Sequence, residues 1–202
     1  MSQNILGWKR REVFLIIWKV KKMNKVFEYS HLGGLEILKV RYPHIEQEID
    51  EIIDSVKITG RTKISKEKTK RGKLLYSPKD MNKAFKEEFY KRGYEELKDF
   101  YDIDSYDAKH KIKAFKQIDF LKERVLVEVQ FGKYAFMFYD LAKFQYFYNK
   151  NQADVGIEIV PCYYLHKEMS TGVSYGEQLV YDIERLQRNF PSVPIEVIFI
   201  DV

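Results

Sequence analysis

The sequence predicts an α/β domain with helices flanking a central mixed β-sheet, and three observations lead there. Residues 124–131 alternate as a strand, Asp154-Val-Gly-Ile-Glu-Ile-Val-Pro161 reads as a second, and Ile195-Glu-Val-Ile-Phe-Ile200 as a third. Segments of helical length, 134–149 and 174–189, separate them. An order of strand, helix, strand, helix, strand folds most simply into a sheet covered by helices. With 202 residues, 45% of them hydrophobic, the chain suits a single core.

Taken from the N-terminus, residues 1–22 stand apart as an extension, and residues 23–202 form the domain. Lys9-Arg10-Arg11 and Lys19, Lys21 and Lys22 flank the apolar run Val13-Phe-Leu-Ile-Ile-Trp18. Six apolar residues are too few for a secretory signal and far too few to cross a bilayer. A short membrane-surface helix is the weaker alternative. Within the domain, Ile45, Ile49, Ile52, Ile53 and Val56 recur at helical spacing, which predicts an amphipathic helix over 43–56. Ser77-Pro78-Lys79-Asp80 is a helix start, with Ser as N-cap and Pro at the first position. That helix carries Met81, Phe85 and Phe89 and ends at Gly93.

Charge is unevenly spread. The net charge is +5 and the pI about 9.0. The stretch 57–73, "KITGRTKISKEKTKRGK", holds Lys57, Arg61, Lys63, Lys66, Lys68, Lys70, Arg71 and Lys73 against one acid, Glu67. Taken alone it is a solvated loop. Its functional reading is a loop that follows a nucleic-acid backbone without reading bases. One cysteine, Cys162, excludes an internal disulfide and a multi-cysteine zinc site. His31, His44, His110 and His166 are scattered without metal-binding spacing. A reducing, cytoplasmic protein is the simplest reading.

The strand 124–131 poses the chemical question. Val125, Val127, Val129 and Phe131 share one face, and Leu126, Glu128 and Gln130 the other. Asp119 lies nine positions before Glu128, on a neighbouring strand joined through Lys122-Glu123, so the two carboxylates can meet. With a strand carbonyl they make an all-oxygen site suited to Mg²⁺. A half-exposed strand also carries Glu and Gln toward solvent for no catalytic reason, and spacing alone favours that reading. The following helix, 134–149, is apolar around well over half its circumference. It needs cover on two sides, such as its own sheet and a partner subunit.

"D-x8-E-V-Q" between a strand and a helix resembles the active site of the PD-(D/E)XK nucleases. Longer strings are similar to type II restriction endonucleases of the BstYI/BglII type. They are "EYSHLGGLE" (28–36), "RTKISKEKTKRGKLLYSP" (61–78), "EVQFGKYAF" (128–136), "DVGIEI" (154–159) and "KEMSTGVSY" (167–175). The resemblance implies a restriction-endonuclease-like fold. It also implies that Asp119 and Glu128 bind metal, with the Val129 carbonyl as a further ligand. Gln130 stands where most such nucleases have lysine, and its amide orients the attacking water. One upstream acid or amide is expected, with Asp102, Asp104, Asp107, Glu87 and Glu88 as candidates; residues 94–114 match poorly there. The resemblance places Lys133 in the major groove, donating to guanine, and Ser170 and Thr171 in a recognition loop. Lys66, Lys68, Lys70 and Arg71 then hold the backbone.

These expectations together describe a homodimer that cuts both strands of a palindromic, GATC-centred site in double-stranded DNA with Mg²⁺. RGATCY is the form with degenerate flanks, and the products carry 5′-phosphates. A cognate methyltransferase is expected in the same system. The rivals are a repair nuclease of the same fold and an inactive DNA-binding module.

Overall fold

A computed structural model describes residues 21–202. Most of the expected N-terminal extension lies outside the described residues. Lys21 and Lys22 are described, and as strand β1 they pair with β3 (Lys57–Ile58). Met23 is fully buried, and its N–H donates to the Val56 carbonyl.

The elements follow in order. Strand β2 (Asn24–His31) leads into α1 (Gly34–Arg41) and α2 (Pro43–Ser55), then β3. Strands β4 (Lys63–Ile64) and β5 (Leu74–Leu75) form a small antiparallel ribbon before α3 (Pro78–Lys91). Next come β6 (Glu95–Asp104), β7 (Lys111–Lys122), β8 (Val125–Val129) and α4 (Tyr134–Asn149). The chain closes with β9 (Val155–Pro161), α5 (Tyr163–Lys167), α6 (Gly176–Leu186) and β10 (Ile195–Asp201). The central sheet has six strands in the order β2-β10-β9-β8-β7-β6. Its core, β8-β9-β10, is parallel, and its flanks pair antiparallel, so the expected mixed sheet is present.

Helices cover both faces. On one side Phe89 of α3 stacks on Phe120 of β7, with centroids 4.2 Å apart, and Phe85 packs near Phe131. Helix α2 buries Ile45, Ile49, Ile52 and Ile53, as its spacing predicts. On the other side α4 lies so close that a Cβ on Gly156 would meet the Phe144 ring at 2.7 Å, so only glycine fits there. The Ser77 hydroxyl caps α3 by accepting the Asp80 N–H, and Gly93 follows at φ 78°.

Two local expectations are refined, and one segment without an assigned element is defined. Helix α6 is shorter than the 174–189 span. The basic stretch is organised by the β4–β5 ribbon rather than being a bare loop. Residues 94–114 belong to a long antiparallel hairpin, β6–β7, whose outer part exposes Phe100, Ile103, Ile112 and Phe115.

A polar group lies inside the fold on the α2 side. Glu196 of β10 is 1% exposed, and one carboxyl oxygen has no hydrogen-bond partner. Burial pushes its carboxyl up to about 8, and Lys25 only partly offsets this.

Candidate active site

Strands β7 and β8 turn through Glu123, whose φ is 55°. The ladder pairs Phe120 with Val127 and Leu121 with Leu126. Continued by one residue, that register sets Asp119 opposite Glu128. The Asp119 N–H points at Glu128 Oε1, 3.4 Å away. Asp119 is half-buried and, with Val129, Phe120, Asn82 and Lys86, lines a small cavity of about 110 Å³. Asn82 and Lys86 lie one turn apart on α3, exposed at the margin of its buried stripe of Met81, Phe85 and Phe89.

The strand does not present Glu128 to solvent as a half-exposed strand would. All five residues of β8 are buried, and Glu128 is 2% exposed because α4 covers its face. The opening lies instead at the end of β8, where Asp119 and Val129 share the cavity. Gln130 continues past the strand, with its N–H donating to the Ile159 carbonyl at 2.9 Å. A Cβ on Gly132 would lie 2.5 Å from Gln130 Oε1, so a bare glycine leaves that amide its room.

Beneath this end sits a polar network that the sequence reading missed. Lys143 Nζ donates to Glu128 Oε1 at 2.5 Å and pairs with Asp140 Oδ1 at 2.8 Å. Asp140 accepts the Gln130 amide N–H through its other oxygen at 2.7 Å. Glu158, paired with Glu128 in the β8–β9 register, is fully buried, and neither of its oxygens has a partner. Burial, then the nearby Asp140 and Glu128 charges, raises the Glu158 carboxyl well above the usual range, which favours its neutral form. Burial and Asp140 also raise Glu128, while Lys143 opposes the shift. Burial raises Asp140, against Lys143 and the Gln130 amide. For Lys143 burial works downward, yet Glu128 and Asp140 outweigh it and hold the ammonium charged.

The expected upstream acids do not reach this place. Asp102, Asp104 and Asp107 lie toward the far end of the β6–β7 hairpin, and Asp104 and Asp107 pair with Lys111 and Lys109. Glu88 is taken by Lys91 and Arg92, and Glu87 faces Lys83. Two polar α3 side chains share the cavity with Asp119, and Asn82 is the amide, beside Lys86.

The basic ribbon and the loop 168–174 form one interlocked unit. Lys70 Nζ donates to the carbonyls of Lys167 and Met169 at 3.0 and 2.8 Å. The Thr171 N–H reaches the Glu67 carboxylate at 3.2 Å, and Lys63 donates to the Ser170 hydroxyl. Arg61 pairs with Glu168 at 3.0 Å. The Ser174 N–H donates to the Gly132 carbonyl at 2.9 Å, which fastens the unit to the segment just past β8. Lys66, Lys68 and Arg71 remain exposed on the ribbon, whereas Lys70 is held inward. Lys133 is exposed at the start of α4, and its ammonium has no hydrogen-bond or ion-pair partner among the described residues.

Residues 26–200 match the family model of the restriction endonucleases BglII/BglIII. The chain belongs to this family. It is a type II restriction endonuclease, a site-specific nuclease. Solved structures give the same fold. The crystal structure of restriction endonuclease BglII complexed with a DNA 16-mer aligns at a TM-score of 0.65 with 24% identity, over 89% of this chain and 76% of that one. The crystal structure of free BglII aligns at 0.58 with 20% identity, over 89% and 79%. No curated protein sequence matches the chain. Restriction endonucleases of this family generally use divalent metal ions.

Among the described residues no group of three or more His, Cys, Asp or Glu side chains is disposed to hold a metal ion. The candidate donors, Asp119 and the Val129 backbone at the cavity and Glu128 across from Asp119, are all oxygen. Two carboxylates and a carbonyl fit a hard ion that keeps several waters, as Mg²⁺ does. Among the same residues no helix is long and apolar enough to cross a membrane.

Proposed function

We propose that this enzyme is a homodimeric, cytoplasmic, Mg²⁺-dependent endonuclease that cuts both strands of a palindromic, GATC-centred site, with RGATCY as its degenerate form. The observation that carries the chemistry is the placement of Asp119 across from Glu128, beside the cavity that Asp119 shares with Val129. Asp119, Glu128 and the Val129 carbonyl would hold Mg²⁺, which when bound polarises the scissile phosphate and acidifies a water. Gln130, fixed by Asp140, orients the attacking water through its remaining oxygen. Water displaces the 3′-oxygen and leaves a 5′-phosphate. Asn82 supplies the upstream amide.

Double-stranded DNA is the partner, as the DNA complex of BglII suggests. A homodimer is supported by the palindrome's two-fold symmetry and by Phe136, Tyr139 and Tyr148, which α4 leaves exposed. Residues 23–202 form the endonuclease domain, with residues 1–22 as an extension whose last two residues pair with β3. A cognate methyltransferase protects the host site.

Digestion of a plasmid with Mg²⁺ and with EDTA, followed by sequencing of the fragment ends, tests this reading. Cutting without metal, or ends that share no GATC, would overturn it.

DNA reading and DNA positioning should separate. We assign base contacts to Lys133, Ser170 and Thr171, and phosphate contacts to Lys66, Lys68 and Arg71. Lys133→Ala should lose about 1–3 kcal/mol of discrimination at one position while non-specific binding holds. Lys66→Ala with Lys68→Ala should weaken both kinds of binding and flatten the salt dependence by about two counterions. Lys70 belongs to neither class, because its ammonium is engaged by two carbonyls. Titrations on cognate and random duplexes at several salt concentrations measure both effects. Identical behaviour of the two variants would remove the division.

A further inference from the structure

Helix α4 carries two charged residues, Asp140 and Lys143, in a segment otherwise of apolar and aromatic residues, glutamine and asparagine. Both face the site. The Lys143 side chain is 13% exposed, and its ammonium touches the Glu128 and Asp140 carboxylates together. The same Asp140 fixes the Gln130 amide. One cation therefore ties the carboxylate of the catalytic strand to the group that sets the glutamine. The atom it holds, Glu128 Oε1, belongs to the carboxylate assigned above to the divalent ion.

We propose that Lys143 is a mobile positioning residue for the cleavage reaction. It neutralises Glu128 before metal arrives, then gives up Glu128 Oε1 to the ion while Asp140 retains it beside the site. Three points support this. A divalent ion and an ammonium cannot share one carboxylate oxygen without strong like-charge repulsion. Asp140 gives Lys143 a second anchor, so release from Glu128 leaves its charge paired. Gln130 supplies no positive charge at the end of β8, and Lys143 is the cation that contacts the Glu128 carboxylate.

The inference rests on the metal-binding reading of Glu128, and the test separates the two. Mn²⁺ binding to the full-length protein without DNA is measured by calorimetry at pH 8, and cleavage is measured separately in single turnovers. Lys143→Met removes the competing charge, so Mn²⁺ should bind about tenfold tighter. Cleavage should fall about 10²-fold or more, because the Asp140–Gln130 arrangement loses its anchor. Affinity for cognate DNA without metal should stay within about threefold, as no contact to the reading loop is lost. A purely structural lysine would lower metal affinity and rate together, and that result overturns the proposal. Unchanged metal affinity or an unchanged rate overturns it equally.

Lys143→Gln keeps a donor to Asp140 without the charge and should show the same opposed movements if the methionine variant does not fold. Lys143→Arg, which retains the charge, should stay closer to wild type in both. Glu128→Gln is the control. If it binds Mn²⁺ like the wild type, the metal-binding reading of Glu128 fails. If it loses Mn²⁺ while Lys143→Met matches the wild type, the role of Lys143 alone fails.

Discussion

Asp119→Asn and Glu128→Gln should each lower single-turnover cleavage by about 10²–10³-fold or more while leaving cognate DNA affinity without metal nearly unchanged. The expectation follows from where the groups lie. Asp119 and Glu128 meet across the β7–β8 ladder, whereas Lys133 lies at the N-cap of α4 and Ser170 and Thr171 on the 168–174 loop. Asparagine and glutamine keep the size of the acids, and the glutamine oxygen can still accept from Lys143. Loss of cutting with binding retained would assign the two acids to the chemistry. Cutting at the wild-type rate by either variant would remove that residue from the site. Loss of binding along with cutting would show that the variant disturbs the fold, and circular dichroism and a melting curve on the same sample distinguish this case.

The second large effect concerns stability. Glu196 has its carboxyl raised from 4.5 to about 8 by burial, with Lys25 offsetting part of the shift and Glu28, Glu46 and Asp50 adding to it. The folded state thus holds a proton that the unfolded chain has already released. Stability from this group is complete below about pH 4.5, declines as pH rises, and is lost once pH passes about 8. Glu196→Gln is close in size and cannot ionise, so it should not share the decline. Urea unfolding at pH 5, 6.5 and 8 should show little difference at the acid end. At pH 8 the variant should be more stable by an amount on the order of 2–4 kcal/mol. Parallel curves for the two proteins across this range would show that Glu196 is ionised in the fold throughout. A variant less stable at every pH would show that the carboxyl makes a contact glutamine cannot reproduce.

What was legible in the sequence divides along physical lines. The sheet and its main helices followed from periodicity, because β8, β9 and β10 are buried on both faces and α2 buries one regular stripe. The meeting of Asp119 and Glu128 was readable because a two-residue turn fixes a hairpin register, and register fixes which side chains face each other. Asp140 and Lys143 were hidden by the composition of α4. The aromatic residues around them suggested a helix needing cover, and nothing in the pattern told which arc met the sheet. Their spacing of three, in a helix with no other charge, was the available signal. Glu158 was read as an ordinary strand residue, although an acid in the middle of an otherwise apolar strand is costly unless it is paired or neutral. Asn82 and Lys86 carried no signal, since polar residues one turn apart on the open side of a helix are common. The exposure of Glu128 was misjudged for a related reason. Alternation shows which residues share a face, but the cover supplied by α4 depends on a tertiary contact.

The bonds between the β4–β5 ribbon and the 168–174 loop bear on how this enzyme can change its target. Lys70, Glu67 and Lys63 each hold a partner 97 to 107 positions away in sequence. A graft of the 168–174 loop alone from another family member would strand those partners, even if every base-facing side chain were correct. New specificity in this scaffold would therefore be inherited as a matched pair of distant segments, and recombination that separates them would tend to yield inactive hybrids.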